Sequence, residues 1–168
     1  MNNFGEPPVL LSTVNPDLKT EKLVNIFENY GHFGTTGTHA VSYNRNRKKA
    51  SVRYYIKIPR AYTYRNVEHV TDSAHAEIND LINAYNITSV LQPGDEFNLD
   101  SIRAEKAKLW NTLQNNGFFY LQRDHILVQA DTAVGNKNID IRVRLDQDLP
   151  LPYFRKQRIG KTGISIDT

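Results

Sequence analysis

Residues 111–119 read Asn-Thr-Leu-Gln-Asn-Asn-Gly-Phe-Phe, and residues 25–33 read Asn-Ile-Phe-Glu-Asn-Tyr-Gly-His-Phe. Each looks like the end of a helix that runs through a glycine stop into an aromatic residue, since glycine takes the left-handed conformation after a helix at little cost. Setting Gly31 on Gly117, 86 residues apart, places Leu23, Asn25, Phe27, Asn29 and Phe33 on Leu109, Asn111, Leu113, Asn115 and Phe119. After one residue of slip, Val52, Tyr54, Ile56 and Ile58 fall on Ile139, Ile141, Val143 and Leu145. Solenoid periods run to ~20–50 residues, so a spacing this long reads instead as two copies of a small domain in tandem.

The second copy is the more complete. Tyr62 to Val70 mixes aromatic and β-branched residues and predicts a strand. Asp72 or Ser73 can cap a short helix through about Ala84, with Ala76, Ile78, Leu81 and Ile82 on its buried side. A Pro93-Gly94-Asp95 turn follows, then a second helix capped by Asn98 or Asp100 with Leu99, Ile102, Leu109, Trp110 and Leu113 as its apolar stripe. Beyond Gly117 a strand is expected over about Tyr120 to Asp131, with Ile126, Val128 and Ala130 on one face. Val134 to Asn138 forms a hairpin connection into Ile139–Leu145, which alternates strictly between apolar and charged residues. The order β-α-α-β-β predicts an α+β fold, in which two helices cover one face of a three-stranded mixed sheet.

In the first copy, Gly5-Glu6-Pro7-Pro8 lies where Gly94 to Phe97 lies in the second, so its first strand and first helix are expected upstream. Pro152 to Ile159 is similar to Ala61 to Val67. The expected division is therefore 1–59 for a truncated unit, 60–150 for a complete one and 151–168 for the start of a further unit.

Composition narrows the classes. The 168 residues are 39% hydrophobic, with 9 Tyr and 7 Phe, which suits packed cores and not a disordered chain. No apolar run approaches the ~18–20 residues of a membrane-spanning helix. Asn2 to Pro8 lacks the basic and apolar regions of a signal peptide. Cysteine is absent, which excludes disulfides, thiolate metal sites and cysteine nucleophiles. The net charge of +3 is mild, and the basic residues are scattered apart from Arg45 to Lys49, which reads as a solvated turn between strands.

The βααββ order, the Gly94-Asp95-Glu96-Phe97-Asn98 turn, the Asn116-Gly117-Phe118-Phe119-Tyr120 stop and the alternating Ile139–Leu145 together resemble the POTRA (polypeptide-transport-associated) domain. Phe4 to Val9 and Tyr120 to Thr132 are similar to the Bacteroidetes branch of the BamA/TamA outer-membrane assembly superfamily. The resemblance implies a periplasmic array ahead of a C-terminal outer-membrane barrel in a Gram-negative bacterium. Such an array would receive unfolded outer-membrane β-barrel clients and dock accessory subunits or a periplasm-spanning partner. It implies no cofactor and no covalent chemistry. A client strand would add to a sheet edge through backbone bonds, and the expected edge comprises Asp124, Ile126, Leu127, Val128, Gln129 and Ala130. Gly31 and Gly117 would be structural.

Other features carry bland readings. His69 and His75 with Asp72 and Glu77 lack zinc-site spacing, so surface and turn histidines are expected and no metal. Trp110 belongs to the core stripe. Asp140, Arg142 and Arg144 form the solvent face of the last strand, and Asp100 and Glu105 face different directions on their helix. No nucleophile–base pair or phosphate loop supports an enzyme. Arg53-Tyr54-Tyr55-Ile56-Lys57 interleaves bases with aromatics, so a single-stranded nucleic-acid module is the alternative. Tyr54 belongs to the inward face with Val52, Ile56 and Ile58, which leaves Tyr55 as the one outward aromatic, and no nucleic-acid partner is expected.

Overall fold

The computed structural model describes residues 9–72, 75–158, 160–161 and 163–165. Asn2 to Pro8, Ser73, Ile159 and residues 162 and 166–168 of the expected further unit, which enter the sequence readings above, lie outside that set. The chain divides into two compact units, Met1–Tyr62 and Thr63–Thr168.

In the first unit, α1 (Leu11–Val14) leads into α2 (Pro16–Asn29), followed by the antiparallel pair β1 (Thr36–Tyr43) and β2 (Ala50–Lys57). Asn15 starts α2 by accepting the Leu18 N–H at 3.2 Å, and Pro16 supplies a first-turn residue whose missing N–H costs nothing there. Gly37 faces Ile56, His39 faces Tyr54 and Val41 faces Val52 across the pair. Arg45 to Lys49 form the exposed turn between the strands.

The second unit has the β-α-α-β-β order that the sequence predicts. Its elements are β3 (Thr63–Val70), α3 (Ala76–Asn86), α4 (Leu99–Asn115), β4 (Ile126–Asp131) and β5 (Asn138–Leu145). The sheet order is β3-β5-β4, with β3 parallel and β4 antiparallel to the central β5, so the fold is α+β around a three-stranded mixed sheet. β5 alternates as expected: Ile139, Ile141, Val143 and Leu145 are buried, and Arg142 between them is exposed. Ile78 and Ile82 of α3 and Leu109 and Leu113 of α4 close the core.

Both glycine stops adopt one geometry. Gly117 has φ +97°, donates to Gln114 O at 3.0 Å, and Phe118 donates to Leu113 O at 3.1 Å. Gly31 has φ +81°, donates to Glu28 O at 3.0 Å, and His32 donates to Phe27 O at 3.0 Å. This is the paired helix-terminating bond set that a left-handed residue just past the cap permits.

Three local expectations change. α3 begins at Ala76, later than a cap at Asp72 or Ser73 requires; His75 precedes it with no side-chain cap. Asp72 instead trades backbone bonds with the Asn79 side chain. Ala76 is exposed and Tyr85 takes the third buried place on the helix. The strand expected from Tyr120 starts only at Ile126, because the Leu121 carbonyl accepts from Trp110 Nε1 at 2.9 Å and Gln114 Nε2 at 2.7 Å. That carbonyl is thereby withheld from a strand ladder, and Arg123–His125 close a 3-10 turn before β4. Finally, Leu151–Phe154 form a 3-10 turn, and no described residue after it is in a strand.

Candidate functional site

β4 is an edge strand, and its hydrogen-bond phase identifies which of its backbone groups are open. Asp146 N–H donates to His125 O at 2.8 Å, just outside the Ile126–Leu145 pair. In an antiparallel ladder that bond marks Ile126–Leu145 as a pair without mutual hydrogen bonds, and alternation assigns the same type to Val128–Val143 and Ala130–Ile141. Ile126, Val128 and Ala130 therefore direct N–H and C=O away from β5, whereas Leu127 and Gln129 spend theirs on it; Ile126 is fully buried with its N–H bonded to Arg123 O, which leaves Val128 and Ala130 as the open positions. Asp124 is not part of this edge: it sits in the 3-10 turn, where Leu121 and His125 have already bent the chain out of the sheet. Beyond Ile126, whose N–H donates to Arg123 O in the 3-10 turn, no backbone bond is seen on the outer side of β4 among the described residues. The opposite edge is partly closed, since Gly94 donates to Tyr64 O at 2.7 Å, Tyr64 to Asp95 O at 2.8 Å, and Glu96 bridges Thr63.

The outer face of the sheet is polar. Arg65 binds the Asp140 carboxylate through two bonds, at 2.8 Å and 2.5 Å, and Arg142 lies 3.3 Å from Glu68. The Arg65 hydrogen bond holds the Asp140 carboxyl below its ordinary value. Asn66, Gln129, Asp131, Asp140 and Arg142 line a shallow groove beside the β4 edge.

Inside the unit lies a polar cluster that the sequence reading missed. Glu105 is fully enclosed on α4, and its Oε1 lies 2.7 Å from His69 Nε2 of β3. Its Oε2 accepts the Val90 N–H at 2.7 Å, and His69 Nδ1 lies 2.8 Å from Asn86 Oδ1 at the end of α3. Burial opposes the charged carboxylate, but the bonds from His69 and Val90 outweigh it and hold the Glu105 carboxyl below its ordinary value. Burial, then the Glu105 charge, pushes the neighbouring Tyr85 hydroxyl up. One carboxylate thus ties α3, α4, β3 and the loop at Val90 together. The available signal was position: Glu105 is four residues before Leu109 and eight before Leu113, on the buried stripe rather than beside it. His69 is accordingly a core residue and not a surface or turn histidine.

The remaining candidates disperse. His75 stacks on Phe154 with ring centroids 4.1 Å apart, and no group of three metal-ligating side chains lies together among the described residues. Trp110 is half-buried under the Arg123 guanidinium, 4.8 Å from the ring centroid. Asp100 is exposed and pairs with Arg103 at 2.8 Å. Tyr55 is exposed while Tyr54 turns inward against His39. No helix among the described residues is long and apolar enough to cross a membrane.

The two glycine stops share one more bond. Gly31 O accepts the Tyr62 N–H at 3.0 Å, and Gly117 O accepts the Gln157 N–H at 2.8 Å. In each unit the chain that leaves the last strand returns to the carbonyl of the helix stop.

The structure is similar to BamA from Haemophilus ducreyi lacking POTRA domains 1–3, with TM-score 0.50, 14% identity and coverage of 85% of this chain and 24% of that one. It is also similar to POTRA3–5 of Haemophilus influenzae BamA, with TM-score 0.47, 16% identity and coverage of 77% of this chain and 49% of that one. The chain thus spans half or less of the length of either structure. No protein-family model and no curated protein matches the sequence. The shared feature is the fold, which is POTRA-like.

Proposed function

We propose that this chain is the periplasmic POTRA region of a BamA/TamA-like outer-membrane assembly factor, and that it binds unfolded β-barrel clients by adding their strands to β4. The observation that carries the reading is the pair of outward positions Val128 and Ala130 on an edge that, past the 3-10 turn, nothing covers among the described residues. Backbone bonding is indifferent to client side chains, which suits a receiver of many sequences. Leu127 and Gln129 shape the same edge by holding it to β5, while Asp124 contributes only through the turn before it. Accessory subunits or a periplasm-spanning partner would dock on the same array. The repeated bond at Gly31 and Gly117 supports reading residues from Gln157 onward as the entry to a further unit, as Tyr62 is to β3. A C-terminal barrel would anchor the whole at the outer membrane.

Val128→Pro tests the edge. Proline removes an N–H that points outward, so the β4–β5 ladder keeps its bonds. Binding of an unfolded outer-membrane barrel peptide, followed by fluorescence anisotropy, is expected to weaken about tenfold, the loss of roughly one hydrogen bond with its alignment. Circular dichroism should stay unchanged. Undiminished binding by the folded variant sinks the assignment. The nucleic-acid alternative is tested by single-stranded oligonucleotide binding at two salt concentrations, where salt-sensitive binding would favour it.

A further inference from the structure

Charge is unevenly placed along the chain. Residues 36–57 hold six cations, Arg45, Arg47, Lys48, Lys49, Arg53 and Lys57, and no carboxylate, although the whole chain has 18 acidic residues against 21 basic ones. In the first unit the described carboxylates, Asp17, Glu21 and Glu28, all belong to α2. The two layers therefore differ: α2 carries both signs, whereas β1, β2 and their turn carry one. None of the six cations makes an ion pair among the described residues. The sheet of the second unit is the contrast, because there Arg65 meets Asp140 and Arg142 meets Glu68.

The β1–β2 sheet has a defined outer side. A Cβ on Gly37 would meet Thr20 and Val24 of α2, so Gly37, His39 and Val41, with Ile56, Tyr54 and Val52 opposite them, face the helix. Arg53, Tyr55 and Lys57 then face away, opposite Ala40, Thr38 and Thr36, whose small side chains leave them standing clear. Four residues apart on one strand, Arg53 and Lys57 are about 13 Å from each other. The turn continues the row. Asn44 closes it by donating its N–H to Lys49 O at 2.9 Å and accepting the Lys49 N–H on its side chain at 3.0 Å. Arg45 to Lys49 are all exposed at the tip, and Arg47 takes φ +53°, a conformation that glycine or asparagine adopts more cheaply than arginine.

We infer that this face, from the Arg45–Lys49 turn along Arg53, Tyr55 and Lys57, binds the anionic phosphate headgroups of a lipid bilayer. An open face with cations spread across it matches charge spread over a plane rather than one enclosed anion. Each lysine or arginine close to such a surface is attracted to it, and a tyrosine ring suits the boundary between headgroups and water. A single nucleic-acid strand fits less well, since such strands stack successive bases on several aromatics and this face presents Tyr55 alone among the described residues. The face lies wholly in the first unit and does not depend on whether β4 receives clients.

Vesicle co-sedimentation of residues 1–168 tests the face. Binding to mixed phosphatidylglycerol–phosphatidylcholine vesicles at low salt is expected to be at least tenfold tighter than to phosphatidylcholine alone, and to weaken as salt rises. Equal binding to both vesicles overturns the inference. Arg53→Gln with Lys57→Gln is expected to weaken binding about thirtyfold, the effect of two cations at an anionic surface. Lys48→Gln with Lys49→Gln, outside the strands, is expected to weaken it equally and keeps the test independent of sheet packing. Lys19→Gln with Lys22→Gln removes the same charge from α2 and is expected to change binding less than threefold. An equal loss in that pair would mean that net charge, and not this face, holds the bilayer, and the inference would fall. Soluble glycerophosphate or a single-stranded oligonucleotide that binds as tightly as the mixed vesicles would also overturn it, because a free phosphate or a nucleic-acid strand would then be the ligand.

Discussion

Glu105 shows what one residue can bind together when its surroundings satisfy it. A carboxylate with no solvent contact is costly unless each oxygen is bonded, and here His69 and the Val90 N–H supply both bonds. Glu105→Gln keeps the shape and loses the charge, so it is expected to cost about 2 kcal/mol in urea unfolding. The pH dependence has a definite sign. Because the folded carboxyl titrates below its unfolded value of about 4.3, it contributes stability that is fully present above that pH and is lost as pH falls through the lower folded value. Unfolding followed from pH 6 to pH 3 should therefore show a decline below about pH 4.3 that is shallower in Glu105→Gln. An unaltered slope would mean that the carboxylate is not held by these bonds. The residue type at 105 hid this, since a glutamate in a helix of mixed charge looks like solvent-facing polarity; its place on the Leu109–Leu113 stripe was the local signal. Its partner His69 lies 36 residues away in the chain.

Elements were easier to read than residues. The α4 stripe follows the helical period, its Asn98 cap is in place with Asp100 N–H at 2.8 Å, and its glycine stop lies where the repeat puts it. Gly117→Ala tests that stop: an alanine at positive φ is strained by roughly 1–2 kcal/mol. Its Cβ would also approach Gln157 O at 3.2 Å. The expected outcome is a urea midpoint lowered by that amount together with faster amide exchange at Gln157, and exchange at Gln157 that does not change would refute the joint. β4 was harder to delimit. Tyr120 to His125 contain strand-forming residues, but α4 side chains capture the Leu121 carbonyl and the chain turns before pairing begins. Strand limits depend on partners that the strand's own composition does not name.

The two units differ at the scale of the whole molecule. Among the described residues, every buried apolar side chain except Ala61 belongs to the second unit. Stability follows apolar burial, so β1 and β2 amides are expected to exchange at least ~100-fold faster than β5 amides in native-state hydrogen exchange. Equal protection in both sheets would contradict the burial difference. The sequence by itself determined the repeat, the order of elements, both glycine stops and the inward alternation of β5. These rest on local periodicity and backbone conformation, which neighbouring residues settle. The tertiary structure alone decided that Glu105 and His69 are partners, that β4 begins at Ile126, and that Val128 rather than Leu127 opens its backbone outward. Each of those depends on a bond to a segment far along the chain, and a linear pattern specifies the face a residue shares but not the group it meets there.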